Sequence, residues 1–92
     1  MPDEINLDLV EPTPEPGSAI AAAYDSVGLC NTIIAENATN PNKTQENLSI
    51  IERNRGHLSI MMGKDWFIEA LTPQQTIEIN ECIAACEVYL IV

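Results

Sequence analysis

The sequence is poor in basic residues, and this scarcity argues against one common kind of binding protein. Four Lys and Arg stand against fourteen Asp and Glu among 92 residues, which gives a formal net charge of −10. A protein that binds nucleic acid through bulk charge needs a surplus of Lys and Arg to neutralise phosphates. We therefore expect no direct nucleic-acid binding.

The sequence also lacks the common catalytic signatures. It contains no GxxxxGK[ST], GxSxG, HExxH or CxxC pattern, so the usual motifs of phosphate binding, acyl transfer, zinc proteolysis and thiol redox chemistry are missing. Its single histidine, His57, has no neighbouring nucleophile or acid with which to act as a general base. The sequence predicts a protein that is not an enzyme and that needs no cofactor.

Cysteines are few and odd in number. Three are present, at positions 30, 82 and 86, and an odd count argues against a framework of disulfides. Cys82 and Cys86 lie four residues apart, on one side of a helix, and His57 could complete a set of three metal ligands. Zinc sites usually use closer Cys and His spacings, so we interpret the thiols as small buried side chains and predict no metal site.

The C-terminal part of the sequence has no apolar run long enough for a typical membrane span. The most apolar C-terminal stretch, residues 83–92, has ten residues and contains Glu87, whereas a span needs about twenty apolar residues. The N-terminal residues Met1-Pro2-Asp3-Glu4 are acidic, unlike the basic start of a secretion signal. These features predict a cytoplasmic protein with no membrane contact.

An acidic arm and a helical domain are the two predicted parts of the chain. Residues 1–16 contain four prolines and five acids, which predicts an extended arm that lies along its own domain or along a neighbouring subunit. Residues 17–92 form the predicted domain. Apolar residues at helical spacing predict a first helix over about residues 18–38, and its stripe is Ile20, Ala23, Val27, Cys30 and Ile34.

The rest of the domain reads as two more helices, over about residues 41–71 and 73–91. Pro41 suits the first position of a helix, and Thr72-Pro73-Gln74-Gln75 has the form of a capping box with Pro at the first helical position. With short connections, the sequence predicts an all-α fold, a three-helix up-down-up bundle. The predicted core is Ile20, Val27, Cys30, Ile34, Leu48, Ile51, Leu58, Met62, Trp66, Ile79, Ile83, Cys86 and Leu90.

Two glycines in the second predicted helix allow two interpretations. Gly56 and Gly63 lie seven residues apart, hence on the same side, where they could permit a close crossing with the alanine-rich first helix. The alternative is a kink or loop at residues 63–65. The apolar spacing that continues to Trp66 favours one unbroken helix.

The third predicted helix is apolar on two sides, which predicts self-association. One stripe contributes to the predicted core, and the second has no obvious cover in a three-helix monomer. We therefore expect a homo-oligomer whose interface contains the second stripe, which consists of Ile77, Ala84, Val88 and Ile91.

Positive charge is confined to the second predicted helix. Residues 1–42 carry seven acids and no base, residues 43–64 carry four bases and two acids, and residues 65–92 carry five acids and no base. Arg53, His57 and Lys64 project on one side and form a possible patch for a protein partner. Arg55 falls among apolar positions and is expected to need a carboxylate partner, for which the candidates are Asp25, Glu36 and Glu81.

The segment from Ile51 to Phe67, followed by Leu71-Thr72-Pro73-Gln74-Gln75 and a closing helix, resembles small helical proteins of tailed bacteriophages, those of marine phages in particular. The resemblance covers roughly the C-terminal half. It implies a phage-like origin and a place in the host cytoplasm. The proteins it points to have no established activity, so it implies no catalytic residues.

Two functions fit these observations best, and a third, a metal-dependent or redox role through Cys82, Cys86 and His57, stays open. The first is a small helical interaction or assembly protein that self-associates. The second is an acidic mimic of nucleic acid that blocks a host DNA-binding protein, which the sequence pI of about 4.1 favours. Mimicry requires carboxylates at phosphate-like spacing on one surface, and many of the acids here lie in the predicted arm.

Overall fold

The computed structural model describes residues 15–91, and all regular structure within them is helical. The helices are α1 (Pro16–Thr39), α2 (Gln45–Met61), α3 (Asp65–Ala70) and α4 (Pro73–Ile91). The predicted all-α class is confirmed, with four helices in place of three. The predicted arm lies outside the described residues, except for its last two positions.

Helix α1 begins at Pro16, two residues before the expected start, because proline at the first helical position has a suitable φ and no hydrogen bond to lose. At the other end, the backbone N–H of Asn40 donates to the carbonyl of Glu36 at 2.8 Å. The next residue is Pro41, which has no backbone N–H and therefore cannot donate the next hydrogen bond of the helix. Five residues of α1 are buried, namely Ala23, Ser26, Val27, Cys30 and Ile33.

The loop between α1 and α2 is organised around Asn42. Its side-chain amide donates to the carbonyl of Ile33 at 3.0 Å, and its backbone N–H donates to Oδ1 of Asn37 at 2.9 Å. Its Oδ1 accepts from the hydroxyl of Tyr89 at 3.0 Å, and its carbonyl accepts from the Asn47 side chain at 2.7 Å. One side chain and its backbone thus connect α1, α2 and α4.

These bonds explain why the predicted start of the second helix at residue 41 is wrong. The hydrogen bonds of Asn42 hold it in the loop, so α2 begins only at Gln45. Its cap is Thr44, whose side-chain oxygen accepts from the backbone N–H of Asn47 at 3.1 Å. Such a cap satisfies one of the free N–H groups of the first turn.

Replacing Asn42 by Ala is expected to lower the free energy of unfolding by about 1–3 kcal/mol, because partly buried hydrogen-bonding groups on α1 and α4 would lose their partner. Urea denaturation followed by circular dichroism measures the change. Asn40→Ala is the matched control, since Asn40 is exposed in the same loop. Equal effects of the two substitutions would contradict the role given to Asn42.

The predicted helix over residues 41–71 is broken at Met62-Gly63-Lys64. The backbone N–H groups of Gly63 and Lys64 bond to carbonyls three residues back, at 3.0 Å each, which tightens and closes α2. Ile60 is largely exposed, and in an unbroken helix Phe67 would lie on the same side, seven residues later. The turn instead lets α3 pack on α1 and buries Phe67 completely.

The proposed close helix crossing at the glycines is also wrong. A Cβ atom added at Gly56 would meet nothing within 4 Å outside its own helix, so no neighbouring backbone approaches there. Gly63 lies in the turn, where an added Cβ would be 3.4 Å from the carbonyl oxygen of Ile60. Its low helix propensity favours the end of α2 at this point.

Helix α4 begins at Pro73, the position that the capping-box pattern predicts. The Thr72 backbone N–H donates to Oε1 of Gln75 at 2.8 Å, and the Gln75 backbone N–H donates to the Thr72 hydroxyl at 3.1 Å. This reciprocal pair fixes the start of α4 and therefore the register of every side chain along it.

Helices α1, α2 and α4 each contact the other two, and the core lies between them. Six residues of the predicted core are buried: Val27, Cys30, Ile51, Leu58, Ile79 and Cys86. The other seven are only partly buried: Ile20, Ile34, Leu48, Met62, Trp66, Ile83 and Leu90. Buried residues that the predicted core omits are Ala23, Ser26, Ile33, Met61, Phe67, Cys82 and Tyr89.

Helix α1 is also notable for its length and apolar composition. Among the described residues, it is the one helix long and apolar enough, by length and composition alone, to cross a membrane. Core helices of water-soluble proteins share these properties. One face of α1 is buried against the other helices, which accounts for part of its apolar composition.

Candidate functional site

The three cysteines form one cluster between α1 and α4. Cys30 comes from α1, and Cys82 and Cys86 come from successive turns of α4. Their Sγ atoms all lie within 4.8 Å of one another. Cys30 and Cys86 have no exposed surface and Cys82 is 3 % exposed. All three are free thiols, and we call them the thiol cluster.

The helices explain why these residues meet. Cys30 belongs to the buried stripe of α1, which continues from Ala23 and Val27 at helical spacing. Cys82 and Cys86 are separated by one helical turn, so both side chains project from the same side of α4. Because α1 and α4 pack directly on each other, the two stripes bring the three sulfur atoms together.

The proximity of the thiols changes their acidity. Hydrogen bonds from Cys30 and Cys86 stabilise the Cys82 thiolate and hold the pKa of Cys82 below its ordinary value, although burial opposes this change. Hydrogen bonds with Cys30 and Cys82, together with burial, raise the pKa of Cys86. Cys82 is therefore the thiol of the cluster that loses its proton first.

Cys82 also lines a surface pocket. The pocket is lined by Val27, Asn31, Glu78, Glu81, Cys82 and Ala85. The carboxylate of Glu78 accepts a hydrogen bond from the Tyr24 hydroxyl at 2.5 Å. Burial, aided by this bond, raises the pKa of Tyr24 to about 12, and the bond from Tyr24 lowers the pKa of Glu78. The two helices are thus joined beside the cluster.

The three metal ligands considered from the sequence were Cys82, Cys86 and His57, and the thiol cluster differs from them in one member. His57 is exposed on α2 and is not part of the cluster, whereas Cys30 takes the third position. The spacing of Cys82 and Cys86 gave two of the three residues. Cys30 lies more than fifty residues away in the sequence, and its place on the buried stripe of α1 was the signal that could have linked it to them.

The predicted basic patch is only partly assembled. Arg53 and His57 are exposed one turn apart on α2. Lys64 is also exposed, but it lies in the turn before α3, so its predicted alignment with the other two depended on a helix that does not continue. Arg55 pairs with Glu52 at 2.8 Å, and the three partners considered from the sequence are wrong because a carboxylate one turn away was closer.

The second stripe of α4 faces solvent. Ile77, Val88 and Ile91 have 48 %, 55 % and 82 % of their surface exposed, and Ala84 between them is also exposed. Beside Val88, an apolar groove lies between α1 and α4, lined mainly by Ile34, Ala38, Ala85, Val88 and Tyr89, with Lys43 at its edge. We call Ile77, Ala84, Val88 and Ile91 the apolar row.

No protein-family model matches the chain, and neither the curated proteins nor the solved structures searched contain a match. The resemblance to phage proteins therefore stays a prediction.

Proposed function

We propose that the protein is a small, non-enzymatic helical interaction protein of phage-like origin that self-associates through the apolar row. The exposure of three large apolar side chains on one side of α4 carries this proposal. A contiguous exposed apolar surface is typical of an interaction site, because its removal from water favours association.

A second copy of the same chain fits the row better than an unrelated partner, because Ile77 and Ile91 lie symmetrically about Ala84. Ile77 lies seven residues before Ala84, and Ile91 lies seven residues after it. Two antiparallel α4 helices would place Ala84 against its symmetry mate and Ile77 against Ile91 of the partner subunit. Small residues at the centre allow two helices to approach closely, and two-fold dimers are the commonest oligomers.

Charge supports the same arrangement. In the antiparallel pair, Val88 of one subunit faces the turn that contains Glu81 of the other. Lys43 lines the groove together with Val88, and its ammonium is 5.1 Å from the centre of the Tyr89 ring. The interface would therefore bring Lys43, in the loop before α2, towards an acid on the facing helix, which favours one register.

We also propose that the three long helices run in up-down-up order within each subunit, since residues 40–44 form a short connection and residues 62–72 contain only the six-residue helix α3. Three free buried thiols support a reducing compartment such as the cytoplasm.

The nucleic-acid mimic receives less support, because mimicry requires carboxylates at phosphate-like spacing. Asp25 and Glu36, the acids within α1, lie about 16 Å apart along the helix axis at 1.5 Å per residue.

Light scattering coupled to size exclusion tests self-association. We expect a mass of about twice the chain's 10.1 kDa at micromolar concentration. Val88→Glu is expected to weaken the dimer at least about tenfold, because a buried valine contributes about 1.5–3 kcal/mol and tenfold corresponds to about 1.4 kcal/mol.

Ile60→Glu is the matched control for Val88→Glu. Ile60 is 64 % exposed on α2 and lies outside the apolar row, so the same change of charge there should leave the dimer intact. A wild-type protein that remains monomeric at high micromolar concentration would refute the proposal. Equal weakening by both variants would refute the assignment of the interface to α4.

A further inference from the structure

We propose that Cys30, Cys82 and Cys86 form a three-sulfur site for a soft metal ion, a function separate from self-association. Three thiols converge from two helices at one point of the core. All three ligands are buried thiols. The cluster therefore differs from groups of exposed acidic residues, which are common on protein surfaces without a metal ion.

The spacing of the sulfur atoms fits a shared ion. With metal–sulfur bonds of about 2.3 Å, sulfur atoms around one ion lie about 3.8 Å apart at tetrahedral angles and about 4.0 Å apart in a trigonal plane. The sulfur atoms here are at most 4.8 Å apart. They would need to approach one another by no more than about 1 Å, which rotation about χ1 can supply without a change in the helices.

The surroundings define the class of ion. The ligands are all sulfur, which selects soft ions and disfavours Mg²⁺ and Ca²⁺, whose ligands are oxygen atoms. Among residues 15–91, no His, Asp or Glu joins the three thiols as a fourth ligand, whereas structural zinc sites use four. The cluster therefore suits soft ions that three sulfur atoms can satisfy.

The net charge of the ion together with its three thiolates further limits which soft ions can bind. Each thiol that carries a proton releases it to solvent when the ion binds, and no electron is transferred. Three thiolates with a divalent ion leave a net charge of −1, and with a trivalent ion they leave none. A monovalent ion would leave −2 at three buried sulfur atoms. Burial of net charge is costly, so divalent and trivalent soft ions are favoured.

A route to the site is present at Cys82. This residue lines the pocket that also contains Glu78 and Glu81, and their carboxylates raise the local concentration of cations at its mouth. Cys82 is 3 % exposed and is therefore the thiol of the cluster closest to solvent. Cys30 and Cys86 complete the site behind it.

Cadmium binding by the reduced full-length chain is the direct test. We expect one Cd²⁺ per chain after gel filtration, a sulfur-to-metal charge-transfer absorption band, and an X-ray absorption spectrum with three sulfur atoms in the first shell. Arsenite should compete with Cd²⁺, because trivalent arsenic with three thiolates is neutral. Ca²⁺ should not compete.

Single substitutions identify the ligands. Cys30→Ala, Cys82→Ala and Cys86→Ala should each weaken Cd²⁺ binding at least about 100-fold, since loss of even an outer-shell partner costs about 10–100-fold. His57→Gln should leave the affinity unchanged, because the imidazole is exposed elsewhere. Circular dichroism checks that each variant is folded.

The wild-type spectrum keeps the proposal testable if a cysteine variant does not fold. A first shell dominated by oxygen or nitrogen, or no bound Cd²⁺ at micromolar concentration, would overturn it, and so would loss of binding in His57→Gln. Metal binding and dimer formation are measured on different variants, so failure of one proposal leaves the other standing.

Discussion

Replacing Phe67 by Ala is expected to lower the free energy of unfolding by about 3–5 kcal/mol, the usual cost of removing a buried aromatic ring. Phe67 has no exposed surface and is the one fully buried side chain of the six-residue helix α3. Its removal would leave a cavity where α3 packs on α1. Urea denaturation followed by circular dichroism measures the change.

Ile68→Ala is the matched control for Phe67→Ala. Ile68 is the next residue of α3 and is partly exposed, so its truncation should cost less than about 1.5 kcal/mol, the lower end of full side-chain burial. Trp66 gives a local signal, because its ring meets that of Phe67 edge-on at 6.0 Å between centroids. Equal effects of the two variants would mean that α3 is not held by the Phe67 ring.

The second large effect is expected at Leu58 in the middle of α2. Leu58→Ala should lower the free energy of unfolding by about 2–5 kcal/mol, because the lost apolar contacts and the new cavity both act against the folded state. Leu58 has no exposed surface. Thermal or urea denaturation of the variant measures the loss.

Ile60→Ala provides the comparison for Leu58→Ala on the same helix. The Ile60 side chain is largely in solvent, so its truncation should change stability by less than about 0.5 kcal/mol. A change below that value for Leu58→Ala would mean that α2 is rotated relative to the described packing.

Local signals in the sequence predicted several parts of the fold. Thr72, Pro73 and Gln75 located the start of α4 because a capping box depends only on neighbouring residues. The helical spacing of Val27 and Cys30 identified the buried side of α1 for the same reason. Leu58 and Ile51 were placed in the core by their spacing along α2, and both are buried.

The features that the sequence did not reveal depend on contacts between distant residues. The start of α2 was placed too early because Asn42 bonds to Tyr89, forty-seven residues away. The break before α3 was only the less favoured of two predictions at residues 63–65, and it occurs because the burial of Phe67 against α1 outweighs the helical spacing that runs through Gly63. Neither contact can be read from a periodicity, since periodicity describes one helix at a time.

In the thiol cluster too, one part was predictable from neighbouring residues and the other depends on contacts between helices. The four-residue spacing of Cys82 and Cys86 was visible in the sequence, but the third sulfur comes from another helix. Cys30 is only one of several side chains in the buried stripe of α1. Its part in the thiol cluster can be recognised only when the facing helix is known. The exposure of the apolar row likewise depends on which side of α4 the core occupies.

The turn at Met62-Gly63-Lys64 also has a consequence for motion. Helix α3 is too short to persist by itself in water, and one ring anchors it, whereas the longer helices share many buried side chains. Local opening is cheapest where few buried contacts must be lost. The backbone amides of residues 65–70 should therefore exchange with solvent deuterium well before those at the centre of α1, α2 and α4, through excursions in which the rest of the domain stays folded.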